Sequence, residues 1–179
     1  DRSTHSLFGV SKTYSDLLVQ EFGNNFGIKT VTFRAGCFTG PSHSSAKLHG
    51  FLSFLVKNLI QKKKYQIIGY HGKQVRDNIH AHDLVSCFWE YYKKPTVGEV
   101  YNIGGGRFSN CSILEAISLV QKKINKKIKI EYFNTPRRGD HKWYISNCDK
   151  FKKHYPKWKQ KYNTEKIIFE LYDNYCQLI

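Results

Sequence analysis

The chain has 179 residues, 40% of them hydrophobic and 15% aromatic, enough for one domain with a real core and too apolar for a disordered tail. Lys and Arg number 29 against 14 Asp and Glu, and the resulting formal charge of +15 suits a polyanionic partner, although most of it is Lys spread along the chain. No apolar run approaches the length of a bilayer-spanning helix, and five scattered cysteines without a Cys-x-x-Cys pair argue for free thiols rather than a metal centre.

Val10, Tyr14, Leu17, Leu18 and Phe22 recur at helical spacing and predict a first helix from Leu7 to Asn24, with Gly27 as its stop. Thr30 to Arg34 alternates as a strand and leads into a loop, Ala35 to Ser44, that carries Gly36, Gly40 and Pro41. A second helix from Ser45 to Gln61 presents Leu48, Phe51, Leu52, Leu55 and Leu59 on one side. Lys62-Lys63-Lys64 follows it, where the macrodipole favours positive charge, so a solvated helix end is the reading preferred over nucleic-acid binding. Gln66 to Tyr70 reads as a short strand ending in a turn at Gly72-Lys73, and Asp77 to His80 as a bridging segment. A helix follows from His82 to Tyr92, then a strand from Val100 to Ile103 that ends at Gly104-Gly105-Gly106. Ser112 with Glu115 forms a capping box that opens a helix reaching Asn125. Lys127 to Phe133 alternates as a strand, and Thr164 begins a terminal helix with Ile167, Ile168, Leu171 and Tyr175 inward. Helices alternating with strands at this spacing predict an α/β fold in a single structural unit.

Several residues carry chemistry. Phe8 and Lys12, four apart, share one helix face. The three glycines at 104–106 lack the Gly-x-Gly-x-x-Gly register, because position 109 is Ser, so a tight strand-to-helix turn is favoured over phosphate binding. Arg76 stands beside Asp77, and Arg137-Arg138-Gly139-Asp140 repeats the theme. Each is an ordinary ion pair by itself; together, two such arginine sites could clamp a diphosphate.

In chain order, Phe8-Gly9-Val10-Ser11-Lys12, Phe33-Arg34 through Phe38-Thr39-Gly40-Pro41, Gly72 to Asp77, Val100 to Gly105 and Arg137 to Asp140 resemble the second half of extended short-chain dehydrogenase/reductases. These are the NAD-dependent nucleotide-sugar epimerases and dehydratases, and the Gly-Lys-Gln-Val-Arg-Asp wording looks closest to the CDP-paratose 2-epimerase subfamily. The resemblance implies the C-terminal part of a Rossmann-type parallel sheet plus a smaller mixed α/β substrate-binding domain. Residues 1–45 would end the Rossmann part with the catalytic helix and the following strand, and residues 46–179 would be mainly the substrate-binding part. The chain begins at Asp1 and contains no Met, so it is read as a fragment whose glycine-rich NAD fingerprint lies upstream. By the same resemblance Lys12 would bind the nicotinamide ribose, and Ala35, Gly36, Cys37 and Phe38 would line the nicotinamide. Arg76 and Arg137 would hold the diphosphate of the nucleotide sugar, Asp140 would lie near its ribose, and His49 would face the sugar.

One position departs from the family pattern. Phe8 stands where the family has the Tyr that takes a sugar hydroxyl proton while hydride leaves for NAD, and loss of a positioned general base costs about 10²- to 10⁴-fold. The expected function is therefore an NAD-dependent epimerase acting on a CDP-sugar with a substituted base, for which His5 is a candidate. The alternative is a catalytically silent nucleotide-sugar-binding relative. A basic nucleic-acid-binding domain is the weakest reading, because the aromatics fall mostly on inward positions. A cytoplasmic homodimer is expected, associating through a bundle that includes the Lys12 helix, with no metal, nucleic acid or membrane partner.

Overall fold

The first helix, α1 (Leu7–Phe26), opens at Ser6, whose side chain accepts from the Gly9 N–H at 3.0 Å, and closes at Gly27 in the left-handed conformation (φ 65°). The structure, a computed structural model, describes residues 6–43, 50–136 and 139–177. The helix lies on a pair of parallel strands, β1 (Val31–Ala35) and β5 (Glu99–Ile103), in the register Phe33 to Tyr101. On the α1 side Arg34 reaches Asp16 through Nε at 2.6 Å and Nη2 at 3.0 Å, and this hydrogen-bonded guanidinium holds the Asp16 carboxyl below its usual range. Among the α1 residues only Gly23 is buried, because a β-carbon there would meet the Gly98 backbone. The apolar positions that gave α1 its helical period, Val10, Tyr14, Leu17, Leu18 and Phe22, are exposed.

On the opposite face of β1 and β5, Phe33 and Tyr101 pack among α3 (Ala81–Lys93) and α5 (Asp149–His154), with Phe33 4.9 Å from Phe88 and Tyr101 5.1 Å from Phe151 by ring centroids. This core also holds Ile79, Leu84, Cys87, Tyr91, Ile103 and Trp158. A separate core gathers Leu52, Leu55, Ile67, Ile117, Ile168 and Leu171. It joins α2 (Phe51–Ile60), α4 (Ile113–Ile124) and α6 (Thr164–Gln177) to a second parallel pair, β3 (Tyr65–Ile68) with β7 (Ile130–Phe133). The predicted capping box is formed: Ser112 Oγ accepts the Glu115 N–H at 3.1 Å and the Ser112 N–H donates to Glu115 Oε2 at 2.7 Å.

Between the two cores runs β4 (Val75–His80), which the sequence suggested only as a bridge. It pairs in parallel with β2 (Cys37–Thr39) and β8 (Trp143–Tyr144), and antiparallel with β6 (Asn110–Ser112). The β2 strand lies inside the stretch expected to be loop, and β6, β8 and α5 were not anticipated. Each strand is two or three residues long, too short to show a period, and exists because β4 presents backbone groups to pair with. The fold is α/β with a Rossmann-type parallel pairing and a smaller mixed part, as the sequence predicted.

Candidate functional site

A cavity of about 310 Å³ opens beside the β1–β2 junction, walled by Gly36, Cys37 and Phe38, by β3, and by Gln74 and Arg76. Gly36 sits at that junction because a β-carbon would strike the Asp77 carboxylate behind it. Asp77 is fully buried, and its Oδ2 accepts the N–H groups of Gly106 at 3.0 Å and Ser146 at 2.9 Å. Gly104 also packs against Asp77 with no room for a side chain. The three glycines thus build a tight turn around a carboxylate, and Asp77 ties the cavity wall at Gly36 to the turn after β5.

Arg76, next along β4, is nearly buried and points its Nη2 at Asp140 Oδ1, 2.9 Å away, while Nη1 donates to its own neighbour's carbonyl, Val75, at 2.8 Å. The two residues are 64 apart in sequence. Asp140 is delivered to this place by the segment after β7, which Tyr70 braces: its hydroxyl donates a long bond to the Asp140 carbonyl at 3.4 Å, and Lys142 lies over its ring at 5.6 Å. Tyr70 and His71 hold φ of 50° and 52°, a left-handed conformation that costs about 1–2 kcal/mol for a residue with a side chain. Gly69 beside them packs on Pro136. Gln74 adds a further polar group to the wall. Its Nε2 donates to the Ile68 carbonyl at 3.0 Å, and its Oε1 is buried without a hydrogen-bond partner among the described residues. A polar atom left so in a cavity wall is an acceptor for a ligand's donor.

Among the sequence-predicted residues the structure brings together Gly36, Cys37, Phe38 and Arg76 at the cavity, and Asp140 through its bond to Arg76. Ala35 ends β1 immediately before that wall and is exposed. Phe8 and Lys12 do not line the cavity; they lie on the first turns of α1, Phe8 65% exposed, with the Lys12 ammonium 5.4 Å from its ring centroid. His5, His49 and Arg137 lie outside the described residues. His43 was not singled out from the sequence. It lines the cavity, with Nδ1 2.9 Å from Thr39 Oγ1 and its carbonyl accepting from Ser53 Oγ at 3.0 Å. Its position directly after the Gly40-Pro41 turn is the signal that could have found it. Gln74 as a wall residue, and Asp77 as the support behind Gly36, were likewise missed, since only the fold sets them there. No group of three or more His, Cys, Asp or Glu among the described residues is placed to hold a metal ion, and no described helix is long and apolar enough to cross a membrane.

Residues 2–104 match the family model described as the NAD dependent epimerase/dehydratase family. The chain is 27% identical over 177 residues to CDP-paratose 2-epimerase of Salmonella typhi, covering 94% of this chain and 51% of that protein. It is also 27% identical over 179 residues to dTDP-glucose 4,6-dehydratase of Xanthomonas campestris, covering 96% of this chain and 49% of that one. Among solved structures it superposes on dTDP-glucose 4,6-dehydratase of Bacillus anthracis in complex with NAD with a TM-score of 0.84 and 27% identity, over 98% of this chain and 53% of that one. UDP-glucose 4-epimerase of Thermus thermophilus, at 18% identity and a TM-score of 0.86 over 99% of this chain and 56% of that one, shares the fold. The chain spans about half the length of the curated relatives it matches.

Proposed function

Because this chain belongs to the NAD-dependent epimerase/dehydratase family, we propose that it is the substrate-binding half of a nucleotide-sugar epimerase. The glycine-rich NAD fingerprint would lie in a half outside these 179 residues, with residues 1–45 completing that half and residues 46–179 forming mainly the substrate part. The observation that carries the reading is the Arg76–Asp140 pair at a cavity that Gly36, Cys37 and Phe38 also line. A guanidinium fixed from behind by a carboxylate presents its remaining N–H donors in one plane, the arrangement suited to a diphosphate. Asp140, past β7, would stand near the nucleotide ribose, with Arg137 and His49 as further contacts to the diphosphate and sugar. The likeness to CDP-paratose 2-epimerase favours a CDP-sugar.

The residues present fit one wall of a nicotinamide site. Ala35, Cys37 and Phe38 are exposed along the β1–β2 junction, where a flat ring would lie, and Lys12, exposed on α1, would bind the ribose. Bound there, NAD would supply a reversible hydride acceptor for a sugar carbon. The chain's own residues would hold the sugar by its diphosphate, set its distance from the 36–38 turn, and exclude water from the cavity.

Phe8 bears on catalysis. Its ring takes the Lys12 ammonium as a cation–π partner and has no proton to move. An active epimerase would therefore need a base elsewhere, for which His5 and the proposed NAD-binding half are the candidates. A silent nucleotide-sugar-binding relative is the second reading, favoured by Phe8 alone. A homodimer formed across the open face of α1 is consistent with its exposed apolar residues. The deciding experiment incubates the full-length protein, and its Phe8→Tyr variant, with NAD and a panel of CDP-, UDP- and GDP-sugars, following cofactor reduction and product stereochemistry. Epimerised product from the unaltered protein establishes the enzyme. Binding without turnover, with activity appearing in Phe8→Tyr, establishes the silent relative, and no nucleotide-sugar binding rejects both.

A further inference from the structure

Two lysine runs that the sequence keeps more than sixty residues apart meet at one end of the second parallel pair. Lys62, Lys63 and Lys64 lead into β3, while Lys126, Lys127 and Lys129 lead into β7. The Tyr65 N–H donates to the Lys129 carbonyl at 2.9 Å, which fixes the two runs side by side. All six side chains are exposed, and none makes an ion pair with another described residue. Carboxylates on the neighbouring elements are engaged elsewhere: Glu165 by Lys122, Asp173 by Lys123, and Glu131 by the Gln66 amide. A helix end draws a positive charge or two, which does not account for six unpaired ones drawn from two segments.

We propose that this lysine edge is a docking surface for an anionic lipid bilayer, held peripherally and by charge. The edge is lysine without arginine, so it lacks the planar forks that read phosphates and bases bidentately. The exposed aromatics of β7, Tyr132 and Phe133, lie toward its other end, so no ring is set among the lysines for a base to stack on. A protein partner is disfavoured too, because lysine is depleted from protein interfaces. What remains is a set of ammonium groups on flexible stems, suited to a diffuse sheet of negative charge. Tyr70 and Asp140 follow the other ends of the same two strands, so docking at the lysine edge leaves the Arg76–Asp140 pair free. A contact of this kind requires no spanning segment, and it replaces the expectation of no membrane partner. It stands independently of the cavity's ligand.

The test is co-sedimentation of the full-length protein with phosphatidylcholine vesicles, with and without phosphatidylglycerol. Binding is expected to the mixed vesicles alone, weakening as salt rises from about 50 to about 200 mM. Changing Lys62, Lys63 and Lys64 to Gln, or Lys126, Lys127 and Lys129 to Gln, is expected to weaken binding at least about tenfold. A control set on the α5 side, Lys152, Lys153 and Lys157 to Gln, should leave it unchanged. Thermal melts separate lost binding from lost fold, and each triple tests the surface by itself. The proposal is overturned by no binding to mixed vesicles, by an equal loss in the control set, or by tighter binding of a single-stranded oligonucleotide through the same six lysines.

Discussion

Asp77 has no exposed surface, yet its Oδ2 is the acceptor for two backbone N–H groups from segments far apart in sequence, Gly106 and Ser146. Replacing it by Ala would leave both amides buried without an acceptor, and the expected loss is about 2–5 kcal/mol, read as a lower denaturant midpoint. Asp77→Asn, which keeps an acceptor oxygen, should lose less; equal losses would mean that the charge rather than the two bonds matters. Arg76 makes a different kind of contribution, since it lines the cavity while its partner Asp140 lies in a separate segment. Arg76→Ala in the full-length protein is expected to weaken nucleotide-sugar affinity about 10- to 100-fold, with Arg76→Lys intermediate, as measured by titration calorimetry. An unchanged affinity would remove Arg76 from the site. The residue pair Arg76 and Asp140 was legible as two arginine-and-carboxylate motifs, but their meeting was not. The sequence places an aspartate beside each motif's arginine, and the fold pairs Arg76 with the distant one.

At the scale of elements, the cap of α4 was the feature most fully legible, because Ser112 and Glu115 satisfy each other's neighbouring N–H groups within four residues. Hydrogen bonds from the Ser112 N–H and hydroxyl hold the Glu115 carboxyl below its ordinary value. A depressed folded-state pKa means that the contribution is fully present above the ordinary carboxylate range and is lost as pH falls through the lowered value. Denaturation midpoints followed from about pH 7 to about pH 3 should therefore show a shallower acid loss for Glu115→Gln than for the unaltered chain. Ser112→Ala is expected to cost about 1 kcal/mol at neutral pH. The short strands tell the opposite story. β2, β6 and β8 carry no internal signal, and a three-residue strand between glycines reads as loop until β4 is there to pair with it.

Across the whole molecule, two separate cores flank β4, and β1 pairs only with β5 among the described strands. With one edge of β1 unpaired and the outer face of α1 apolar and open, these 179 residues by themselves present surface that folded proteins normally cover. The chain of these 179 residues is expected to self-associate as its concentration rises. Size-exclusion chromatography with light scattering over a concentration series checks this, and a monodisperse monomer at all concentrations would contradict it.

Local pattern alone determined the long helices, the Gly27 stop and the Ser112–Glu115 capping box, the α/β class and the ordered motifs that identify the family, because helical period and capping depend on neighbours within a turn or two. Tertiary structure decided everything that needs two distant segments in one place: the pairing partners of β4, the Arg76–Asp140 contact, the cavity wall behind Gly36, and the junction of the two lysine runs. The same distinction explains α1, whose apolar stripe predicted a helix correctly but not that the stripe would lie open. A period reveals that a face is apolar; only the packing of the rest of the protein determines what covers it.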